Sequence, residues 1–174
     1  MTVAAFSVVP ARSQVRIEAR SNVHPIHLRA DGLEGEVEVE AGPDGRPELA
    51  TAAPRGRLSL RVERLRGGNP LEDVELQRQV DGARFPTIEG VLSAVEPLPG
   101  AASCYRLRGV VDFRGVARAC AGEVALEEDG EGLRLRGEAV FDIRDFGMEP
   151  PRVLLLRVEP EVRVTVDLVL EPRP

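Results

Sequence analysis

Two histidines, a row of alternating glutamates, two cysteines and one Asp-Phe-Gly triplet are the residues of this chain whose type and spacing bear on chemistry. His24 and His27 straddle Pro25-Ile26, and a His-x-x-His pair is half of a metal site. No cysteine or carboxylate joins them at a spacing that zinc sites use, so turn or surface histidines are expected, with no metal and no cofactor. Lacking a third group, they also make a poor acid–base pair. Glu34, Glu36, Glu38 and Glu40 share one face of an alternating segment and look like a cation site. Outward arginines on neighbouring strands, such as Arg16, Arg57 and Arg61, would explain the row as cross-strand ion pairs on a solvated face. Asp145-Phe146-Gly147 spells the magnesium triplet of protein kinases, yet no glycine-rich loop or His-Arg-Asp accompanies it. No serine sits in a nucleophile-elbow context. No catalytic constellation emerges, and the chain is not read as an enzyme.

Cys104 and Cys120 flank a hairpin expected at residues 113–115. Its register would set Cys104 across from a residue near 124, several positions beyond Cys120. A disulfide needs Cα atoms within about 7 Å, so two free thiols are expected.

Those residues must be held by some framework, and composition limits the choice. With 174 residues the chain is expected to form one domain, residues 1–174, burying roughly two-thirds of its unfolded surface. It carries 29 acidic and 23 basic residues, every basic one an arginine, for a net charge of −6. That balance argues against a partner with a phosphate backbone, which needs a basic face. Five Phe, one Tyr and no Trp supply no stacking platform for single-stranded nucleic acid. No apolar run is long enough to span a bilayer as a helix. The first ten residues lack a positive region ahead of Arg12, and a strand pattern begins almost at once, so a cytoplasmic chain is expected.

Turn residues divide the chain at Gly42–Gly45, Gly67-Gly68, Pro97–Gly100, Phe113–Gly115, Asp129–Gly132 and Glu149–Pro151. Between these breaks the period is two. Val15, Ile17 and Ala19 alternate with charged residues, as do Val37 and Val39, while Leu58 and Leu60 alternate with Arg57, Ser59 and Arg61. Leu107, Gly109, Val111 and Phe113 share a face, and so do Leu133, Leu135, Gly137, Ala139 and Phe141. In the last segment Val162, Val164, Val166, Leu168 and Leu170 oppose Arg163, Thr165 and Asp167. One dry and one wet face is the mark of antiparallel sheet. About eight long strands joined by short turns predict an all-β, up-and-down barrel.

One segment departs from that period. Asn69-Pro70-Leu71-Glu72 combines a cap residue, proline at the first helical position and an acid three beyond the cap, predicting a short helix from Pro70 to about Val80. Leu71 and Val74 fall on one side and Leu76 and Val80 on the other, a pattern that suits a plug or lid on a barrel mouth.

Asn69–Asp73, Arg84–Ile88, Tyr105–Val116 and Asp145–Met148 occur in an order that resembles the YceI-like family of polyisoprenoid-binding barrel proteins. The resemblance runs from about Phe6 to Leu170. It implies a lipocalin-like antiparallel barrel with an elongated apolar interior and a helix between early and middle strands. It also implies a non-enzymatic role, binding or sequestering a long apolar lipid of the polyisoprenoid or quinone-like class. Two departures from the family pattern stand out. Ile143 occupies a position that is often arginine, and the helix reads Glu72-Asp73-Val74-Glu75-Leu76 where Arg-Asp-x-His-Leu is common.

The residues expected to line the cavity are Leu107, Gly109, Val111, Phe113, Leu135, Gly137, Ala139, Phe141, Val164 and Val166. Gly109 and Gly137, between larger neighbours, either leave room for a ligand or mark bends that close the barrel. The alternative function is a filled-core barrel acting through its surface as a protein-interaction or stress-associated module, for which a homodimer is the assembly to expect.

Overall fold

A closed barrel follows from strands that are long, alternate cleanly and turn tightly. In the computed structural model, residues 2–44, 47–48, 54–153 and 155–174 are described. Among them the segments run β1 (Thr2–Val8), β2 (Gln14–Ser21), β3 (Ile26–Asp31), β4 (Glu34–Ala41), β5 (Pro47–Glu48), β6 (Arg55–Arg61), α1 (Pro70–Val80), β7 (Thr87–Pro97), β8 (Cys104–Phe113), β9 (Val116–Asp129), β10 (Gly132–Asp142), β11 (Arg152–Val153) and β12 (Leu156–Pro172). The Gly45 end of the turn expected at 42–45 lies outside the described residues.

Every ladder is antiparallel, in the order β1-β4-β6-β7-β8-β9-β10-β12, and pairing of β1 with β12 closes the ring at eight strands. The up-and-down architecture read from the alternation is therefore present. The first two strands are each broken once. β1 and β2 both lie against β12, with Val8 opposite Leu170 and Gln14 opposite Asp167. Between them Pro10 opens a short 3-10 turn, because proline fixes φ and has no N–H to give the ladder. Val169 of β12 faces this gap, and its backbone is still satisfied. Its N–H donates to Ser13 Oγ at 3.0 Å, and its carbonyl accepts from the Val9 N–H at 2.8 Å. Ser13 is the buried polar side chain that makes the break affordable, at 2% exposure. β3 and β4 form the second broken strand, bent at Gly32, whose φ of +72° favours glycine. Paired 2.9 Å bonds between Arg29 and Arg66 carry the ring across the segment that follows β6.

The β8–β9 hairpin turns through Arg114 and Gly115 at φ of +55° and +73°, the mirror-image turn that matches strand twist. In its register Cys104 faces Ala125 and Cys120 faces Gly109. The two sulfurs are thus about five residues apart along the sheet, roughly 16 Å at strand rise, and both cysteines are free. The helix occupies the expected residues. Asn69 Oδ1 accepts from the N–H groups of Leu71 (3.1 Å) and Glu72 (3.4 Å), and Asp81 ends the helix in the left-handed conformation. Among the described residues no helix is long and apolar enough to cross a membrane.

The glutamate row needs a correction. Arg57 does stand opposite Glu36, but its guanidinium reaches on to Glu89 at 3.0 Å. Arg61 pairs with Glu63, and Arg16 sits on β2 between Thr165 and Arg29, beside β3 and not β4. Arg55, in register with Glu38, and Arg173, paired with Glu36, supply cations instead. A sequence pattern gives each strand's parity but not its neighbours. Between β10 and β12, Arg134 grips Asp167 through two bonds of 2.9 and 2.8 Å, and these hold the Asp167 carboxyl below the usual carboxylate range.

Candidate functional site

The inward residues of the barrel divide its interior into two halves. At the end formed by the start of β1 and the close of β12, Phe6, Val8, Val39, Leu133, Leu168 and Leu170 meet as a packed core, each at most 7% exposed. Toward the other end a cavity of about 530 Å³ opens. That volume lies within the range of pockets that hold small organic ligands. On β12 the boundary falls between Val166, which lines the cavity, and Leu168, which does not.

Eight of the ten residues expected to line a cavity do so: Leu107, Val111, Phe113, Gly137, Ala139, Phe141, Val164 and Val166. Leu135 lies one step below the boundary, opposite Leu168, and packs on the closed core. Gly109 is also outside the lining. A Cβ built there would come within 2.5 Å of the Val91 carbonyl oxygen, beside the irregularity of β7 between Leu92 and Ala94. Its role is close approach of two strands. Gly137 has a similar one, although it touches the cavity: its φ is outside the left-handed region, and a Cβ would meet Val124 Cγ1 at 2.5 Å and the Glu123 carbonyl at 3.0 Å.

Several lining residues were not singled out from sequence. Leu28, Leu58, Leu60 and Ile88 complete the apolar wall, and Gly90 stands among them, facing Leu58 on one side and Val111 on the other. An added Cβ at Gly90 would meet nothing within 4 Å. The alternation of β6 carried the signal for Leu58 and Leu60. Nothing local distinguishes Gly90 from the barrel's crowded glycines, because the difference lies in what faces it.

The helix closes over the open end. Leu76 and Val80 turn inward and line the cavity, while Leu71 and Val74 are 83% and 69% exposed on the outer side. Around the same mouth, the 3-10 turn Ile143–Phe146 drops Phe146 between Phe113 and Phe141, with ring centres 5.7 and 6.3 Å away. The Asp-Phe-Gly triplet is thus a turn with a buried aromatic anchor. Gly147 ends it at φ +71°, and Asp142 caps it by accepting from the Arg144 N–H at 2.9 Å. Phe85, entering β7, carries the guanidiniums of Arg84 and Arg114 at 5.1 and 5.9 Å from its ring centre.

Polar residues at the cavity are few, and those away from the mouth turn their side chains outward. Glu72 and Asp73 project from the first turn of α1, and Asp73 Oδ1 accepts from the Gly67 N–H at 2.6 Å. His24 sits on the β2–β3 turn, its Nδ1 donating to the Pro25 carbonyl at 2.8 Å. The His27 ring is on the outer face, 3.8 Å from Glu18. Glu89 and Glu138 reach the wall from outward-facing positions, their carboxylates paired outside with Arg57 and Arg163. Among the described residues no three His, Cys, Asp or Glu side chains gather as a metal site.

The chain superposes on the crystal structure of Burkholderia cenocepacia BcnA at a TM-score of 0.77 and 19% identity, covering 93% of this chain and 98% of that one. A polyisoprenoid binding domain from Saccharophagus degradans aligns at 0.69 and 12% identity over 97% and 98% of the two chains. The YCEI protein of Campylobacter jejuni aligns at 0.58 and 10% identity over 80% and 81%. At these identities the likeness establishes the fold. A search of curated proteins finds no match. The YceI-like domain family matches residues 6–170, nearly the whole barrel, and the chain belongs to that family.

Proposed function

We propose that this barrel is a non-enzymatic binding protein that holds a long apolar lipid, of the polyisoprenoid or quinone-like class, in the open half of its interior. One observation carries the reading: a cavity of about 530 Å³ lined almost wholly by apolar side chains lies beneath the helix, whose Glu72 and Asp73 stand at its mouth. Eight-stranded barrels of this size either fill with side chains or hold one small ligand, and here the two outcomes divide the interior between them. The Saccharophagus degradans domain, described as polyisoprenoid binding, supports the class of ligand. Leu107, Val111, Phe113, Ala139, Phe141, Val164 and Val166 would form the contact wall. The cytoplasm is the proposed location, where the free Cys104 and Cys120 stay reduced.

Protein purified from its own cells, extracted with organic solvent and examined by mass spectrometry, tests the reading. The expected result is one long-chain apolar lipid, close to one per chain. A clean blank, together with failure to take up any added isoprenoid, would overturn it.

A further inference from the structure

The sign of the charge at the cavity mouth narrows the ligand beyond its apolar chain, an inference that rests on the lipid-binding reading above. All 23 basic residues of the chain are arginines, and among the described residues none of them lines the cavity. The charged side chains that reach it from the mouth are the carboxylates of Glu72 and Asp73. The fold has one feature there that ordinarily attracts anions, the N-terminus of α1, whose unpaired N–H groups and dipole favour negative charge. Here it is already occupied. Asn69 Oδ1 takes the N–H groups of Leu71 and Glu72, the Asn69 carbonyl takes that of Asp73, and two carboxylates sit in the first turn. The two histidines of the lining offer little compensation, since His24 Nδ1 is committed to the Pro25 carbonyl and the His27 ring is turned outward toward Glu18.

We propose that the cavity selects chains ending in an uncharged, hydrogen-bond-donating head such as a primary alcohol, and rejects the same chain ending in phosphate. An anionic head drawn to this mouth would lose water without gaining a cation and would face two like charges, which is discrimination by repulsion. An alcohol brings no charge, and its O–H can donate to the Glu72 carboxylate, which makes no ion pair among the described residues.

The test is displacement of the neutral dye Nile red from the full chain by geranylgeraniol and by geranylgeranyl phosphate. The alcohol is expected to compete at least about tenfold better than the phosphate. Glu72→Gln keeps a residue suited to the third helical position but removes its charge, and it should narrow that ratio. Glu72→Arg should narrow it further or reverse it. Equal competition by both lipids, or tighter binding of the phosphate, would overturn the selectivity while leaving lipid binding intact. A ratio unchanged in both variants would likewise overturn the part given to Glu72. If neither lipid displaces the dye, the lipid-binding reading fails, and this inference with it.

Discussion

Replacing Gly90 with phenylalanine is expected to abolish uptake of geranylgeraniol while leaving the thermal midpoint unchanged or raised. Gly90 lies in β7 between Leu58 and Val111, both cavity residues, so its missing side chain points inward. A Cβ there meets nothing within 4 Å, and the backbone is not in the left-handed region, so a side chain enters without strain. The benzyl group would occupy the space assigned to the ligand and would bury its own apolar surface against the opposite wall, at about 25 cal/mol per Å². A glycine in a strand also costs conformational entropy that any other residue recovers in part. Binding and stability should therefore move in opposite directions, a combination that unfolding cannot imitate. Titration of both proteins with geranylgeraniol, alongside thermal melts, checks it. Undiminished uptake by the variant would place the ligand elsewhere.

Gly137→Leu is expected to behave differently, although both glycines touch the cavity. A Cβ at position 137 would lie 2.5 Å from Val124 Cγ1 and 3.0 Å from the Glu123 carbonyl oxygen. Val124 is itself 7% exposed, and β9 is held to β10 in close register here, so neither neighbour can retreat cheaply. Overpacking of this kind costs about 1–3 kcal/mol, and chemical denaturation should show a loss of that order. Gly137→Ala should already show part of it, because the collision begins at Cβ, and Val124→Ala in that background should recover some of the loss. A leucine variant as stable as the parent would mean that the strands are farther apart than described.

The contrast between these two glycines shows where sequence reading reaches its limit. Alternation along β8, β10 and β12 was legible residue by residue, because a strand's parity is a local property. The helix start was legible as well, since Asn69, Pro70 and Glu72 each act on backbone groups within one turn. The division of the interior was not. Leu135 and Val164 share an inward parity, but Leu135 meets Leu168 in the packed half and Val164 faces the open one. That outcome depends on where strands distant in sequence stop and bend. The breaks that shape it, at Pro10 and Gly32, leave no mark in the alternation. Likewise the glutamates of β4 could be placed on the outer face, but the cation paired with Glu36 is Arg173, at the far end of the chain, which closure of the ring brings alongside.

Methyl-resolved NMR during titration with geranylgeraniol tests the central claim, that one half of the barrel holds the ligand and the other is solid. The account predicts that the methyl signals of Val111, Val164 and Val166 shift together and saturate near one lipid per chain, since all three line the cavity. Those of Val8, Val39 and Leu170, sealed in the packed half at 7% exposure or less, should stay in place. Shifts confined to outward residues such as Val91, Val110 and Val140, with the cavity valines unmoved, would contradict it.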